Sequence, residues 1–141
     1  MSTTFTATIE HVAQFTSRAT LRTHTALVDR GTAKGGLDLG PAGGEYMLVS
    51  LGGCFTSHLL AASRSRDANL TNVRVEVTGT MDGSPECFTA FTLNVVADCA
   101  DEALARKLVT IASRSCQVTN TLRKAATMVI SWKGVAVEAA V

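Results

Sequence analysis

The feature that most constrains this chain is a change of hydrophobic period. Short runs alternating every second residue flank one long apolar stretch, Tyr46–Ala62, in which Met47, Leu48, Leu51, Cys54, Phe55, His58, Leu59 and Ala62 recur at helical spacing. Strand-like runs are therefore expected before and after one central helix. Ser50, Gly52, Gly53, Ser57 and His58 interrupt the stretch, so it is expected to be a mostly buried helix and not a membrane span. The pair Gly52-Gly53, directly before Cys54, costs about 1 kcal/mol per glycine relative to alanine inside a helix. Something must approach the backbone closely there, either another helix or a substrate.

Upstream, Thr3–Glu10 places Phe5, Ala7 and Ile9 on one side and threonines on the other, the pattern of a half-buried first strand. Gln14–Thr20 and Thr25–Asp29 are further strand-like runs, and the three together predict a small antiparallel sheet. From Arg30 to Gly44 the glycines and Pro41 mark a loop, read equally well as a plain connector or as a functional segment. Glu45 then stands where a helix dipole favours a carboxylate, so its simplest role is capping.

Downstream, Val73, Val75 and Val77, then Phe88, Phe91, Leu93 and Val95, predict a long hairpin around Met81-Asp82-Gly83-Ser84-Pro85. Asp98–Glu102 supplies an acidic helix start, and Leu104, Leu108, Ile111 and Ala112 form its apolar stripe to about Ser113. A short helix over Gln117–Lys124 would place Cys116 at its N-terminus, and Met128–Trp132 with Val135–Val137 makes a last strand. With 141 residues, no internal repeat and no linker, the chain is expected to be a single domain over residues 1–141.

Several function classes are disfavoured. Hydrophobic residues are 46% and charged residues 18% of a chain of formal net charge +1, and the aromatics are not interleaved with Lys or Arg, which argues against nucleic-acid partners. Met1–Phe5 lacks the basic and apolar regions of a signal peptide, so a cytoplasmic, reducing location is expected and the four cysteines are not read as two disulfides. No Cys-x-x-Cys pair is present, and His58 near Cys54 lacks further ligands, so neither a metal nor a cofactor is expected.

The thiols remain as the reactive groups. A helix N-terminus or a nearby arginine lowers a cysteine pKa from about 8.5 toward neutrality. Cys116 has the first setting, and Cys54 gains the second if an N-terminal arginine folds over it. Two such thiols can run a peroxide cycle through a sulfenic acid and a disulfide. Unpaired cysteines more often serve as small apolar core residues. Cys87 and Cys99 have no activating neighbour and are expected to be inert, His11 and His24 are assigned no role, and His58 is read as a packed residue more readily than as a base.

The segments Gly44-Glu45-Tyr46-Met47-Leu48-Val49-Ser50-Leu51-Gly52-Gly53-Cys54-Phe55-Thr56 and Ala112-Ser113-Arg114-Ser115-Cys116-Gln117-Val118-Thr119-Asn120-Thr121-Leu122 resemble the two cysteine signatures of the OsmC/Ohr family, the osmotically induced and organic hydroperoxide resistance proteins. The resemblance covers nearly the whole chain. It implies an α+β, OsmC/Ohr-like fold, with antiparallel sheets wrapped around two central helices in an intertwined homodimer whose active sites lie at the interface. It also implies a peroxidatic Cys54, a resolving Cys116, organic hydroperoxide substrates and a lipoyl-type dithiol reductant. Family peroxidases pair the reactive cysteine with a Glu just before the first helix and an Arg on the N-terminal sheet. Glu45 matches the first, with Gly44 the neighbouring register. Arg18 is the nearest candidate for the second, Arg22 the next, and Gln14 an alternative occupant of that place. Many relatives carry Pro after the second cysteine where this chain has Gln117, a change expected to be tolerated. A binding module for an apolar small molecule and a purely structural dimer are the competing readings.

Overall fold

The hairpins predicted from alternation are present, and they sort into two separate sheets. A computed structural model describes residues 1–138, and the chain divides into two compact units, Met1–Met47 and Leu48–Val141.

The first unit is an antiparallel sheet of β1 (Thr8–Ala13), β2 (Thr16–Leu21) and β3 (His24–Val28), in the order β1-β2-β3. The first strand begins later than its alternation suggests. Pairing is set by the tight turn at Gln14-Phe15, which aligns Ala13 with Thr16, so the register runs back from that turn and leaves Thr3–Ala7 unpaired. Gln14 adopts φ 47° in this turn. The expected half-burial is also absent, because every residue of β1 is exposed, as are Phe5 and Phe15.

Polar contacts organise the rest of this unit. Asp29 is buried and accepts from the Thr16 hydroxyl (2.8 Å) and from the backbone N–H groups of Arg30 (2.7 Å) and Leu39 (3.2 Å). Its own N–H donates to the Pro41 carbonyl at 3.1 Å. The glycine-rich loop, with one 3-10 turn at Thr32–Lys34, is therefore pinned at both ends around one carboxylate. Burial alone would raise the Asp29 pKa, but these donors outweigh it and hold the carboxyl below its ordinary value.

The second unit carries a four-stranded sheet, β4 (Thr71–Asp82), β5 (Cys87–Asp98), β6 (Thr127–Trp132) and β7 (Val135–Glu138), in sequence order. This sheet is mixed, which corrects the expectation of purely antiparallel sheets. β5 and β6 run parallel because α2 (Glu102–Ser115) and α3 (Gln117–Leu122) intervene and return the chain to the same edge of the sheet. Every second residue is buried, Phe91, Leu93, Val95 and Ala97 on β5 and Met128, Ile130 and Trp132 on β6. The sheet's inner face is built from these two strands.

Helix α2 starts at an Asp101 cap, whose side chain accepts from the Leu104 N–H at 3.0 Å, as the acidic run predicts. Its buried face is Ala105, Leu108, Val109 and Ala112, so Leu104 and Ile111 lie at the margin of the stripe rather than in it.

Helix α1 spans Gly43–Ser65 and, among the described residues, is the one helix long and apolar enough to cross a membrane. Leu51, Phe55 and Leu59 are fully buried, the arrangement of a core helix, and a Cβ built on Gly52 meets the Val77 side chain of β4. Only one face is covered. Val49 and Leu60 stay exposed, so less of α1 is buried than its composition suggests.

Candidate active site

Cys54 and His58 lie one turn apart on α1, a spacing that puts both on one face of the helix. Helix α2 ends at Ser115, Cys116 caps α3, and Gln117 follows as the first residue of that helix. Gln117 reaches across to α1. Its side-chain carbonyl Oε1 accepts from the Cys54 thiol at 3.4 Å and lies 2.8 Å from His58 Nε2. The break between α2 and α3 thus meets two successive turns of α1 through one carboxamide.

Cys116 is fully buried beside Cys54, close enough for the two thiols to hydrogen-bond. Its sulfur accepts from the Thr119 N–H at 3.4 Å, and the buried Thr119 hydroxyl, which has no other partner, faces the same sulfur. The sequence suggests that the helix N-terminus makes this thiol acidic, and that expectation is corrected. Burial pushes the Cys116 thiol up, and its neighbour Cys54 adds to this, against the opposing Thr119 donors. One turn of helix cannot offset removal of the thiolate from water.

Cys54 is partly exposed and Cys116 is not, so a reagent from solvent meets Cys54 first. Along another face of α1, the helix and β4 form an open, mainly apolar groove of about 1250 Å³, with Gly52, Gly53, Leu60, Val75 and Val77 in its walls. Gly53 lies on this exposed side, and a Cβ added there would touch nothing within 4 Å.

The second unit brings Cys54, Cys116, Gln117 and His58 together, whereas the other two predicted site residues belong to the first. Glu45 closes a capping interaction, its carboxylate accepting from the Ala42 N–H at 2.8 Å, as its simplest reading requires. Arg18 stands exposed in mid-β2, aligned with Glu10 on β1, and Arg22 sits in the β2–β3 turn with φ 56°. Cys87 is exposed at the start of β5. The Cys99 thiol is pushed up by burial and by the Glu102 carboxylate, a setting that disfavours the thiolate. Among the described residues no three His, Cys, Asp or Glu side chains converge to hold a metal.

Sequence reasoning passed over Gln117 as a tolerated replacement and His58 as a packed residue. The available signal was the Cys54–His58 spacing together with a residue able both to donate and to accept, next to the second cysteine.

The model of the OsmC-like protein family matches residues 34–131, more than two thirds of the chain and inclusive of both cysteine segments. The chain belongs to the OsmC-like family. No curated protein matches it. Solved structures of OsmC/Ohr proteins share its fold at low identity. An OsmC-like protein from Mycoplasma pneumoniae superposes with a TM-score of 0.81 at 15% identity, covering 94% of this chain and 96% of that one. An organic hydroperoxide resistance protein OsmC from Legionella pneumophila gives 0.73 at 16%, covering 92% and 96%. A putative organic hydroperoxide resistance protein from Vibrio cholerae, with captopril bound in one of its active sites, gives 0.72 at 20%, covering 96% of each chain. Membership of the OsmC-like family, with relatives named for hydroperoxide resistance, suggests a redox role.

Proposed function

We propose that this OsmC-like protein is a thiol peroxidase acting on organic hydroperoxides. The observation that carries the reading is the pairing of a partly exposed Cys54 with a buried Cys116. The Cys54 thiolate attacks the terminal oxygen of the hydroperoxide. The O–O bond breaks, a Cys54 sulfenic acid forms, and the alkoxide leaves as the alcohol after taking a proton. Cys116 then attacks the sulfenic sulfur, water departs, and a Cys54–Cys116 disulfide forms. A dithiol of the lipoyl type restores both thiols by exchange and is itself oxidised to a disulfide. Peroxide chemistry asks more of Cys54 than of Cys116, so a resolving thiol that is buried and hard to ionise fits the second role.

The apolar groove on α1, the helix that carries Cys54, supports organic over inorganic peroxides, because it offers apolar walls to an alkyl tail. Two further observations support an intertwined homodimer. Ile9, Val12, Phe15 and Leu21 leave the N-terminal sheet with exposed apolar side chains, and a three-stranded sheet without a covered face is marginal alone. Gly53 offers a bare backbone patch that nothing within the described chain uses. In such a dimer Arg18 and Glu45 serve the thiolate in the roles that family peroxidases give to this pair. Dependence on a dithiol reductant places the protein in the reducing cytoplasm.

A binding module for an apolar small molecule would use the same groove without the thiols. The two readings separate on turnover of cumene hydroperoxide and hydrogen peroxide by reduced protein with dihydrolipoamide. The peroxidase reading expects faster consumption of the organic peroxide and its loss in Cys54→Ser. Absence of turnover in the wild type overturns it.

A further inference from the structure

We propose that Gln117 is a catalytic residue of this site and His58 its positioning residue, the two forming a carboxamide relay that sets the protonation state of Cys54. The inference deepens the peroxidase reading and rests on it for its purpose, though not for its test. Gln117 Oε1 stands 3.4 Å from Cys54 Sγ and 2.8 Å from His58 Nε2, so one oxygen faces two donors. An amide oxygen accepts but does not donate. In this arrangement Cys54 must be a thiol and His58 must carry a proton on Nε2.

The thiolate needs the opposite. Once Cys54 loses its proton to solvent, the oxygen of Gln117 faces a negative sulfur with no hydrogen between them. A half-turn of the carboxamide replaces Oε1 with the NH2 group, which carries two hydrogens. One is donated to the Cys54 thiolate, and the other can be donated to His58 Nε2 if that nitrogen is bare. The thiolate and the His58 tautomer protonated on Nδ1 are thus selected together. A thiol is a weak donor, and a charge-assisted bond to a thiolate is about twice as strong as a neutral one, so loss of the carboxamide costs the thiolate more than the thiol. The neighbouring Cys116 thiol supplies no positive charge and is only a weak donor, so the carboxamide of Gln117 is the stronger donor of the two toward the Cys54 sulfur.

The main chain around Gln117 holds the relay in place. Its carbonyl accepts from the Thr121 hydroxyl at 2.8 Å, and its neighbour Cys116 is fixed as the cap of α3, so the side chain projects from a defined first turn. Proline at this position could offer neither an acceptor nor a donor side chain. On this account Gln117 gives the chain a local means of stabilising its thiolate.

The test is the rate of Cys54 alkylation by iodoacetamide against pH, resolved by peptide mass spectrometry on the full-length reduced chain. Gln117→Glu cannot donate and places a negative charge beside the sulfur. Its midpoint should rise, and its rate at neutral pH should fall about tenfold while the plateau at high pH is kept. Gln117→Met, which keeps length but no polar atom, should shift the midpoint in the same direction by less. His58→Phe should reduce the effect of Gln117→Glu when the two are combined, because the residues act as one unit. A merely structural role would alter the plateau and leave the midpoint in place. Unchanged midpoints in both Gln117 variants overturn the relay. Alkylation needs no peroxide, so shifted midpoints in a protein without peroxide turnover would support the relay and remove the peroxidase reading. Peroxide turnover with fixed midpoints would do the reverse.

Discussion

Gly52 and Gly53 are adjacent and identical in chemistry, yet the structure predicts opposite responses to alanine. A Cβ on Gly52 would sit 2.8 Å from Val77 Cγ2, whereas one on Gly53 would meet nothing within 4 Å. Carbon atoms in contact prefer about 3.5–4.0 Å, so the Gly52 methyl overlaps Val77 by roughly 1 Å. Val77 is β-branched and fixed in β4, where it pairs with Leu93, and cannot simply rotate away. Overpacking of this kind costs about 1–3 kcal/mol. Replacing glycine by alanine inside a helix returns about 1 kcal/mol at either site. Gly52→Ala should therefore lose about 1 kcal/mol net, and Gly53→Ala should gain about 1 kcal/mol, a separation of about 2 kcal/mol between neighbours. Urea unfolding at matched protein concentration reads both, since any association adds its own stabilisation. Adding Val77→Ala to Gly52→Ala should recover most of the overlap cost, leaving the cavity cost of the removed methyl groups. Equal midpoints for the two glycine variants would refute the packing argument. A Gly53→Ala chain that is more stable as a monomer but weaker as a dimer in sedimentation would show that a second copy uses the bare backbone.

Three further outcomes follow from single contacts. Phe55→Ala removes a fully buried ring from the inner face of α1 and should cost about 3–5 kcal/mol in urea unfolding. Glu102 accepts from Lys133 (2.6 Å) and the Trp132 indole (2.7 Å), which hold its carboxyl below 4.5, while Glu102 holds Lys133 above 10.5. Stability from Glu102 is present above its ordinary value and lost as pH falls through the depressed one, and stability from Lys133 is lost only as pH rises through its raised one. Glu102→Gln should lower the melting temperature at pH 7 and not at pH 2. Asp29, also depressed, adds stability that disappears on acidification below about its ordinary 3.8, so Asp29→Asn should accelerate hydrogen exchange at Arg30 and Leu39 at neutral pH and lose that effect in acid.

Element type was legible wherever burial follows one period. β5 and β6 alternate in sequence and in exposure, and α2 announces itself through Asp101 and its stripe. Boundaries failed where a turn rather than a face decides them, as at Gln14-Phe15, whose pairing moved β1 forward from Thr3. The parallel β5–β6 pair was missed because strand direction depends on what α2 and α3 do in space, although two helices between strands are the usual mark of a crossover. At the site, the two cysteines were legible through their flanking motifs. The acidity of Cys116 was misjudged because helix position can be read from a sequence and desolvation cannot. Gln117 escaped because its partners lie 63 and 59 positions away, and only the fold brings α1 against the start of α3.

The most direct test of the account treats reduced protein with one equivalent of cumene hydroperoxide and maps its thiols by mass spectrometry. The account predicts a Cys54–Cys116 disulfide in the wild type, a Cys54 sulfenic acid in Cys116→Ser, and Cys87 and Cys99 unchanged in both. Oxidation confined to Cys87 or Cys99, or a Cys54 that stays reduced, would contradict it.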